Sequence, residues 1–242
     1  MWKSKGHTLR YKAVFFDAGN TLLYPHPSVE QVCIEVFSQS GYKVDPDQLR
    51  DAIADGDRYY EERYWSDDTF WCSESGASSL WVELYTRVAQ AVGINGDCQK
   101  LAREIYHEFG HHHRWELFPD VRSTFEELKE LGLKIGIVSN WDSRLTSLCF
   151  GIGITDYLDF VMCSAVVGRI KPQPEIFQMA LDRAKVKPEE TIHVGDHYYA
   201  DVLGARSVGI TPVLINRTGR QLKADCNTID NLKSLLQIIK QS

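Results

Sequence analysis

Short apolar runs that end in polar turns recur along this chain, and they constrain its fold more than any other feature. The first run, residues 12–17, reads KAVFFD and suits a strand that is buried on both faces of a parallel sheet. Four later runs have the same shape and each follows a helix-like segment: residues 134–139, 160–163, 191–195 and 212–215. This alternation predicts a doubly wound α/β fold with a mainly parallel, five-stranded, Rossmann-like core.

Residues 28–115 interrupt the alternation, because they contain several helix-like stretches and no confident strand. Candidate helices span residues 29–40, 47–63, 78–92 and 97–110, with loops at 41–43 and 73–76. We therefore predict an all-helical domain at 25–115, inserted into a core domain formed by 1–24 and 116–242. Its aromatic residues are expected to pack its interior rather than to line a ligand cage. They are Tyr59, Tyr60, Tyr64, Trp65, Phe70, Trp71, Trp81 and Trp115.

Length, charge and cysteine content narrow the class of protein. A chain of 242 residues exceeds the commonest single-domain size, in agreement with an insertion. The formal net charge of −6, without any basic block, argues against nonspecific binding to nucleic acid. Six scattered cysteines without a CxxC pair lead us to expect a reduced, cytoplasmic protein. No window approaches the ~20 apolar residues of a membrane span. The polar residues 1–7 are expected to leave no room for a signal peptide. No protein partner is indicated.

Polar residues stand where the predicted strands end. Asp17 ends the first strand, Ser139 and Asn140 end the second, and Asp196 ends the fourth, whereas Lys171 precedes the helix that follows the third. In an open parallel sheet, the carboxyl ends of the strands converge beside the point where strand order reverses. Residues that are far apart in the chain are therefore expected to meet in one site.

The residue types at this predicted site suit the transfer of an anionic group. Asp17 is the candidate nucleophile, since an aspartyl intermediate divides one difficult hydrolysis into two easier steps. Thr21 and Ser139 offer hydroxyls, and Asn140 offers a further donor, for holding anionic oxygens. Lys171 supplies a cation that would position Asp17 and neutralise charge on the transferred group.

A divalent cation is expected at the same place. The carboxylates of Asp196 and Asp201 would repel that of Asp17 strongly unless a cation lay among them. Magnesium is the natural candidate, because it is a hard ion that binds a few carboxylates, carbonyls and waters.

The four motifs resemble, in order and spacing, those of the haloacid dehalogenase superfamily of hydrolases. They stand at residues 17–21 (DAGNT), 139–140 (SN), 171–172 (KP) and 195–201 (GDHYYAD). The insertion resembles the helical C1-type cap of that family, and the branch it resembles is the rhythmically-expressed-gene-like one, whose substrates are not evident. The resemblance implies Mg²⁺ coordination by Asp17, Asp196 and the backbone oxygen of Gly19, with Asp201 acting from the second layer.

Gly19 departs from the pattern of the family's phosphatases, which usually carry an aspartate there to protonate the leaving group and activate water. General acid–base help of this kind is typically worth ~10²–10⁴-fold. We therefore expect activity to survive with good leaving groups and to suffer with alkyl phosphates. His26 and the histidine run at 111–113 are candidate substitute acids. The alternatives are that His26 is an ordinary loop residue and that the histidine run is a solvated helix end.

Three hypotheses about function stay open at this stage. The first is a Mg²⁺-dependent, phosphatase-type hydrolase that acts on a small anionic phosphorylated compound through Asp17. The second is a 2-haloacid dehalogenase-like enzyme, since halide departs without a proton, although Asp196 with Asp201 is the metal-binding form of the last motif. The third is a catalytically silent protein that keeps the phosphate pocket.

Overall fold

A parallel six-stranded sheet lies at the centre of the part of the chain that the computed structural model describes, residues 9–219 and 224–241. The strands in chain order are β1 (Ala13–Phe16), β2 (Leu23–Pro25), β3 (Trp115–Leu117), β4 (Lys134–Ser139), β5 (Phe160–Cys163), β6 (Thr191–Gly195), β7 (Thr211–Ile215) and β8 (Asn227–Ile229). The sheet order is β5-β4-β1-β6-β7-β8. Strand β1 therefore lies between β4 and β6, at the point where strand order reverses.

Ten helices accompany these strands within the described ranges. In chain order they are α1 (Val29–Gln39), α2 (Pro46–Ser66), α3 (Glu74–Ala91), α4 (Cys98–Glu108), α5 (Val121–Glu130), α6 (Arg144–Ile152), α7 (Ser164–Val167), α8 (Pro174–Ala184), α9 (Gly204–Ser207) and α10 (Lys233–Lys240). Short 3₁₀ turns and one π turn, Tyr198–Leu203, join some of them.

The sheet is buried on both faces, which explains why its strands are apolar throughout. Phe15 and Phe16 are adjacent and fully buried, yet they face opposite sides because successive side chains of a strand alternate. Phe16 packs in a cluster with residues of α5, α6 and α10. Phe15 packs in a second cluster with residues of α8 and α9. The predicted α/β fold with a parallel core is confirmed.

The predicted number of strands is wrong, because the structure adds β8 at the edge of the sheet. Its register places Asn227 beside Val213 and Ile229 beside Ile215. Of its three residues only Ile229 is buried. An edge strand with one buried side chain produces no apolar run, so the pattern used for the other strands does not detect it.

Helices α1–α4 form the helical insertion, and their starts follow from capping residues. The side chains of Ser28, Asp45, Ser73 and Asp97 accept hydrogen bonds from backbone amides in the first turns of the four helices. The predicted loop at 73–76 is therefore wrong, since Ser73 caps α3 and the helix begins directly after it. The helices pack around their own apolar cluster, which includes Val32, Phe37, Leu49, Leu84 and Ile105.

A two-stranded antiparallel ribbon joins the helical insertion to the rest of the chain. Strand β2 pairs with β3, with Leu23 opposite Leu117 and Pro25 opposite Trp115. The predicted boundaries, 24/25 and 115/116, both fall within this ribbon. With three residues each, β2 and β3 are too short to show the alternation that identifies a strand in sequence.

Two further sequence expectations concern the chain as a whole. All six cysteines are free thiols. None of the helices within 9–219 and 224–241 combines the length and apolar character that crossing a bilayer requires. The polar stretch at 1–7 lies outside the described residues.

Candidate active site

Asp17, Ser139 and Lys171 meet at the carboxyl end of the sheet. Asp17 directly follows β1 and Ser139 ends the neighbouring β4, so parallel pairing places them side by side. The Lys171 Nζ lies 2.6 Å from Asp17 Oδ1, and the Ser139 hydroxyl donates to the same oxygen at 2.9 Å. All three residues are buried. Two donors thus fix one carboxylate oxygen of the candidate nucleophile.

Asp201 is the second partner of Lys171. Its Oδ1 lies 2.6 Å from Lys171 Nζ and 2.9 Å from His193 Nε2, and its Oδ2 accepts the backbone N–H of His197 at 3.0 Å. Burial alone would raise the pKa of Asp201, but Lys171 and His193 outweigh burial and hold this pKa well below its usual range. Both oxygens of Asp201 are therefore committed to protein donors.

Lys171 carries its charge in an almost fully buried position. Burial lowers the pKa of a lysine, yet the neighbouring charges of Asp17 and Asp201 raise it by more, so the net shift is upward. Removal of either carboxylate would leave the buried ammonium group of Lys171 with only one of its two neutralising partners.

Asp196 completes an acidic cluster with Asp17 and Asp201. One carboxylate oxygen from each residue lies within 4.8 Å of the others. Burial, followed by the charges of Asp17 and Asp201, raises the pKa of Asp196 to about 8. The site thus accumulates more negative charge than Lys171 alone balances, and its oxygen donors match the preference of Mg²⁺.

Asn140 engages the backbone of Lys171 rather than Asp17. Its Nδ2 donates to the Lys171 carbonyl at 3.0 Å, and its Oδ1 accepts the Lys171 N–H at 2.8 Å. The Lys171–Pro172 peptide bond at this point is cis. The side-chain amide therefore ties the end of β4 to the segment that delivers the buried lysine.

The loop after β1 brings Gly19 and Thr21 beside the nucleophile. Hydrogen bonds from Asn20 N to Leu23 O (2.8 Å) and from Leu23 N to Ala18 O (3.1 Å) close this loop, and the Gly19 carbonyl takes no part in them. Thr21 is fully buried, and its hydroxyl has no hydrogen-bond partner among the residues that the structure describes.

Arg217, which follows β7, supports the same loop. Its Nη2 donates to the Thr21 carbonyl at 2.9 Å, and its Nη1 pairs with Asp120 Oδ2 at 2.7 Å. Burial would raise the pKa of Asp120, but Arg217 and the Leu232 amide lower it overall. The guanidinium lies over the Phe118 ring at 4.1 Å. This buried ion pair was not anticipated from the sequence.

The candidate substitute acids lie in other surroundings. His26 follows β2, and its Nδ1 lies 2.9 Å from Glu116 Oε2 on the opposite ribbon strand, with about half of each side chain exposed. His111, His112 and His113 are exposed and their rings contact one another. The contacts of the described residues join none of these four histidines to Asp17.

An aromatic cluster from the helical insertion packs against the site. Tyr64 and Trp71 belong to a buried cluster with Ile170, the residue that precedes Lys171, and the Tyr64 ring lies 5.2 Å from the His197 ring. The interpretation of the aromatics as interior packing fits these residues, whereas Trp65 is 60% exposed. The Tyr64 hydroxyl has no hydrogen-bond partner within the described parts of the chain.

A model of the haloacid dehalogenase-like hydrolase family matches residues 11–209, which covers every motif residue of the site. The chain belongs to the haloacid dehalogenase-like hydrolases. It is 34% identical over 212 residues to "haloacid dehalogenase-like hydrolase domain-containing protein 3" of Danio rerio, with 86% of each chain covered. The resemblance inferred from the motifs is thereby confirmed at the level of the family.

Two solved structures that are similar to this haloacid dehalogenase-like hydrolase are named for different reactions. A 2-haloacid dehalogenase from Pseudomonas syringae is 27% identical, with a TM-score of 0.66 over 96% of this chain and 99% of the other. A phosphatase of the family from Thermococcus onnurineus is 28% identical, with a TM-score of 0.65 over 94% and 97%. These two similarities are nearly equal, so the choice between the reactions depends on the residues of the site.

Sequence reasoning missed two residues that contact the site. His193 is a polar residue inside the otherwise apolar strand β6, and this was a readable signal. Trp141 directly follows the second motif, and its ring lies against Gly19. Nothing in the sequence alone points Trp141 at a residue more than a hundred positions away.

Proposed function

We propose that this chain is a Mg²⁺-dependent, phosphatase-type hydrolase that acts on a small phosphorylated compound through an aspartyl intermediate on Asp17. The observation that carries the proposal is the cluster of Asp17, Asp196 and Asp201 around Lys171. Displacement of halide by a carboxylate needs no metal, so that reaction gives no reason for a second carboxylate, Asp196, to lie within 4.8 Å of Asp17. Transfer of a phosphoryl dianion does require concentrated positive charge.

The chemistry of the donor set fits magnesium. Asp17, Asp196 and the Gly19 carbonyl would hold the ion, because both oxygens of Asp201 are already engaged by protein donors. When bound, Mg²⁺ would neutralise charge on the carboxylates and on the transferred group. Asp201 would support the ion site without binding the ion, since it holds Lys171 and accepts a hydrogen bond from the His197 N–H.

The protein's own groups set up the attack. Ser139 and Lys171 both donate to Asp17 Oδ1, which fixes the orientation of the carboxylate. Oδ1 is thus the held oxygen, and Oδ2 is the one directed toward the substrate. Asn140 acts by holding the Lys171 backbone. The Thr21 hydroxyl, which has no hydrogen-bond partner among the described residues, supports the predicted contact of Thr21 with phosphate.

The division of the chain and its location belong to the same proposal. The core domain comprises 1–24 and 116–242, and the helical cap comprises 25–115, with the β2–β3 ribbon at the junction. Free thiols at all six cysteines support a reducing compartment, the cytoplasm.

Release of phosphate from aryl and acyl phosphates tests this function. We expect hydrolysis with Mg²⁺, loss of hydrolysis in chelator, and a loss on the order of 10³-fold or more in Asp17→Asn. Thermal unfolding of the variant provides the control for folding. Absence of phosphate release from every aryl and acyl phosphate in the presence of Mg²⁺ would overturn the proposal.

A dehalogenase-like reaction is the second candidate, and Gly19 is the observation that favours it. Halide leaves without a proton, so this reaction needs no acid at position 19. Release of halide from short 2-haloacids that persists in chelator would establish it. If the protein binds phosphate and turns over neither class of compound, the silent binding protein is the remaining explanation.

A further inference from the structure

We propose that Trp141 occupies the place of the missing general acid, and that it restricts this enzyme to leaving groups that depart as stable anions. The substrate class is then acyl phosphates, phosphoanhydrides and aryl phosphates. This inference rests on the proposed phosphatase function. Trp141 is assigned as a specificity-determining residue, and Gly19 is its necessary partner.

The contact between Gly19 and Trp141 carries the inference. A Cβ atom added at Gly19 would lie 3.3 Å from Trp141 Cζ3, which is tighter than an ordinary van der Waals contact. Any side chain at this position would begin against the indole, and the ring would have to shift by a few tenths of an ångström to accept even its Cβ atom. A glycine is the residue that leaves the ring where it is.

The indole is held in place from two directions. Its ring packs edge-to-face on Trp115, at 4.9 Å between centroids, and the Trp115 Nε1 donates to the Phe109 carbonyl at 2.9 Å. The Trp141 backbone N–H donates to the Ser164 hydroxyl at 3.1 Å, and Ser164 in turn donates to the Trp71 carbonyl at 2.7 Å. Both routes run into the helical insertion, so displacement of Trp141 would disturb the contact between insertion and core.

Among the described residues around Asp17, none is left to serve as a replacement acid, since Asp196 is assigned to the metal ion and both oxygens of Asp201 are engaged by protein donors. Ser139 and Lys171 direct their donors at Asp17 itself. Tyr60 accepts the Trp71 indole N–H at 3.2 Å and keeps its own proton. Burial raises the pKa of Tyr60 to about 12, whereas an efficient general acid has a pKa near the working pH.

The first step then proceeds without proton transfer. An oxygen of Asp17 forms a bond to phosphorus while the bond from phosphorus to the leaving oxygen breaks. The electron pair stays on the leaving oxygen, which departs as a carboxylate, phosphate or phenolate. An alkoxide would have to depart unprotonated and does so slowly.

The second step returns the enzyme to its starting state. A water oxygen attacks phosphorus, the bond to Asp17 breaks, and its electron pair restores the carboxylate. The proton released by water passes to solvent, because position 19 offers no base. Hydrolysis of the intermediate is therefore slower than its formation from a good leaving group, and we expect a burst of one product per active site.

Rapid-quench measurement of the burst across substituted phenyl phosphates and an alkyl phosphate tests the inference. In the unaltered protein the burst rate should fall steeply as the pKa of the leaving group rises. Gly19→Asp alone should keep this steep dependence. Gly19→Asp combined with Trp141→Ala should flatten it and raise the alkyl phosphate rate by ~10²–10⁴-fold.

The controls distinguish the effect of a carboxylic acid at position 19 from the effect of the space that Trp141→Ala creates. Gly19→Asn with Trp141→Ala has the same shape without an ionisable group, and it should show no gain. Thermal unfolding and Mg²⁺ calorimetry verify that each variant is folded, and Trp141→Phe is a milder alternative if the alanine variants are not.

Three results would overturn the inference. These are full flattening by Gly19→Asp alone, no gain in a folded double variant, and a shallow dependence in the unaltered protein. If the burst rate of the unaltered protein depends only weakly on the pKa of the leaving group and this dependence becomes steep in Tyr60→Phe, then Tyr60 is the acid. Absence of phosphate release from all aryl and acyl phosphates would instead refute the proposed phosphatase function, whereas steady release without a burst would contradict only the slow second step.

Discussion

At the scale of single residues, the site is a balance of buried charge. Lys171 compensates Asp17 and Asp201, whereas Asp196 has no cation of its own among the described side chains. Buried carboxylates are stable only when they are paired, hydrogen-bonded or neutralised. Loss of Lys171 should therefore lower the stability of the fold, whereas loss of Asp196 should weaken the binding of a metal ion.

Replacement of Lys171 by methionine should lower the free energy of unfolding by ~3–5 kcal/mol at neutral pH, because two buried carboxylates lose their shared partner. Urea unfolding monitored by circular dichroism measures this change. Lys129→Met is the matched control, since its ion pair with Asp159 is partly exposed and should be worth less than ~1 kcal/mol. Equal effects of the two substitutions would contradict the role given to Lys171.

Replacement of Asp196 by asparagine should weaken Mg²⁺ binding by more than the ~10–100-fold typical of losing an outer-layer partner. The reason is that the variant removes a proposed direct ligand and leaves the Lys171 pairs intact. Isothermal titration calorimetry with Mg²⁺ measures the affinity. Asp182→Asn, on the exposed side of α8, is the control and should bind as the unaltered protein does. Unchanged affinity in Asp196→Asn would place the ion elsewhere.

At the scale of elements, the sheet delivers each functional group at the end of a strand, and a second set of contacts fixes the loops. Arg217, which follows β7, bridges the Thr21 carbonyl in the loop after β1 and Asp120 at the start of α5. A parallel sheet aligns its strands but leaves the loops beyond them to be fixed by side chains. The Arg217–Asp120 pair performs that function for the loop that carries Gly19.

Arg217→Met should destabilise the protein by ~3–5 kcal/mol at neutral pH, because Asp120 is left buried without its cation. The pKa of Asp120 is lowered in the folded state. The stabilisation is therefore present above its unfolded pKa of ~3.9 and is lost as the pH falls further. The difference in stability between the two proteins should accordingly shrink at acidic pH.

Urea unfolding of Arg217→Met at neutral and acidic pH measures both effects. Arg50→Met is the control, since Arg50 and Asp47 form an exposed pair on α2. A difference between Arg217→Met and the unaltered protein that does not change with pH would show that packing of the arginine, rather than its charge, is responsible.

At the scale of the whole molecule, the helical insertion is docked on the core by polar contacts beside the site. The Tyr106 hydroxyl donates to Asp142 Oδ2 at 3.0 Å, the Arg144 Nη1 donates to the Tyr106 carbonyl at 2.6 Å, and the Glu74 carboxylate accepts the Ser143 N–H at 2.8 Å. The Arg144 guanidinium also lies over the Tyr106 ring at 3.7 Å. These contacts position the aromatic cluster against the acidic residues.

Tyr106→Phe should weaken this docking by ~1 kcal/mol, the typical net contribution of a hydrogen bond. Exchange of the Ser143 amide, which Glu74 protects from across the interface, should then accelerate by roughly 5-fold. Hydrogen exchange measured by NMR reports it. Tyr157→Phe is the control, because it removes a hydroxyl whose partner, Glu126, lies on the same side of the interface. Unaltered Ser143 protection in Tyr106→Phe would mean that other contacts hold the insertion in place.

Local pattern was sufficient for much of this molecule. Phe15 and Phe16 mark a strand buried on both faces, and the helices predicted to start at 29 and 97 begin within one residue of those positions, because such signals depend on immediate neighbours in the chain. Asp17, Ser139 and Lys171 could be grouped because parallel strands must end at one edge of the sheet, whereas Asp201 was added through the resemblance to the family's last motif. The contacts of these four residues agree with that grouping.

The rest depended on distances between segments that have no relation in sequence. Strand β8 forms only because an existing edge, β7, offers it hydrogen bonds, and the ribbon forms only because the insertion returns beside its own start. The replacement of an acid by Gly19 was visible in the sequence, but the ring that fills the space was not. Side-chain type and spacing specify which groups a chain carries to the edge of a sheet, whereas close packing in three dimensions decides which of them fit there together.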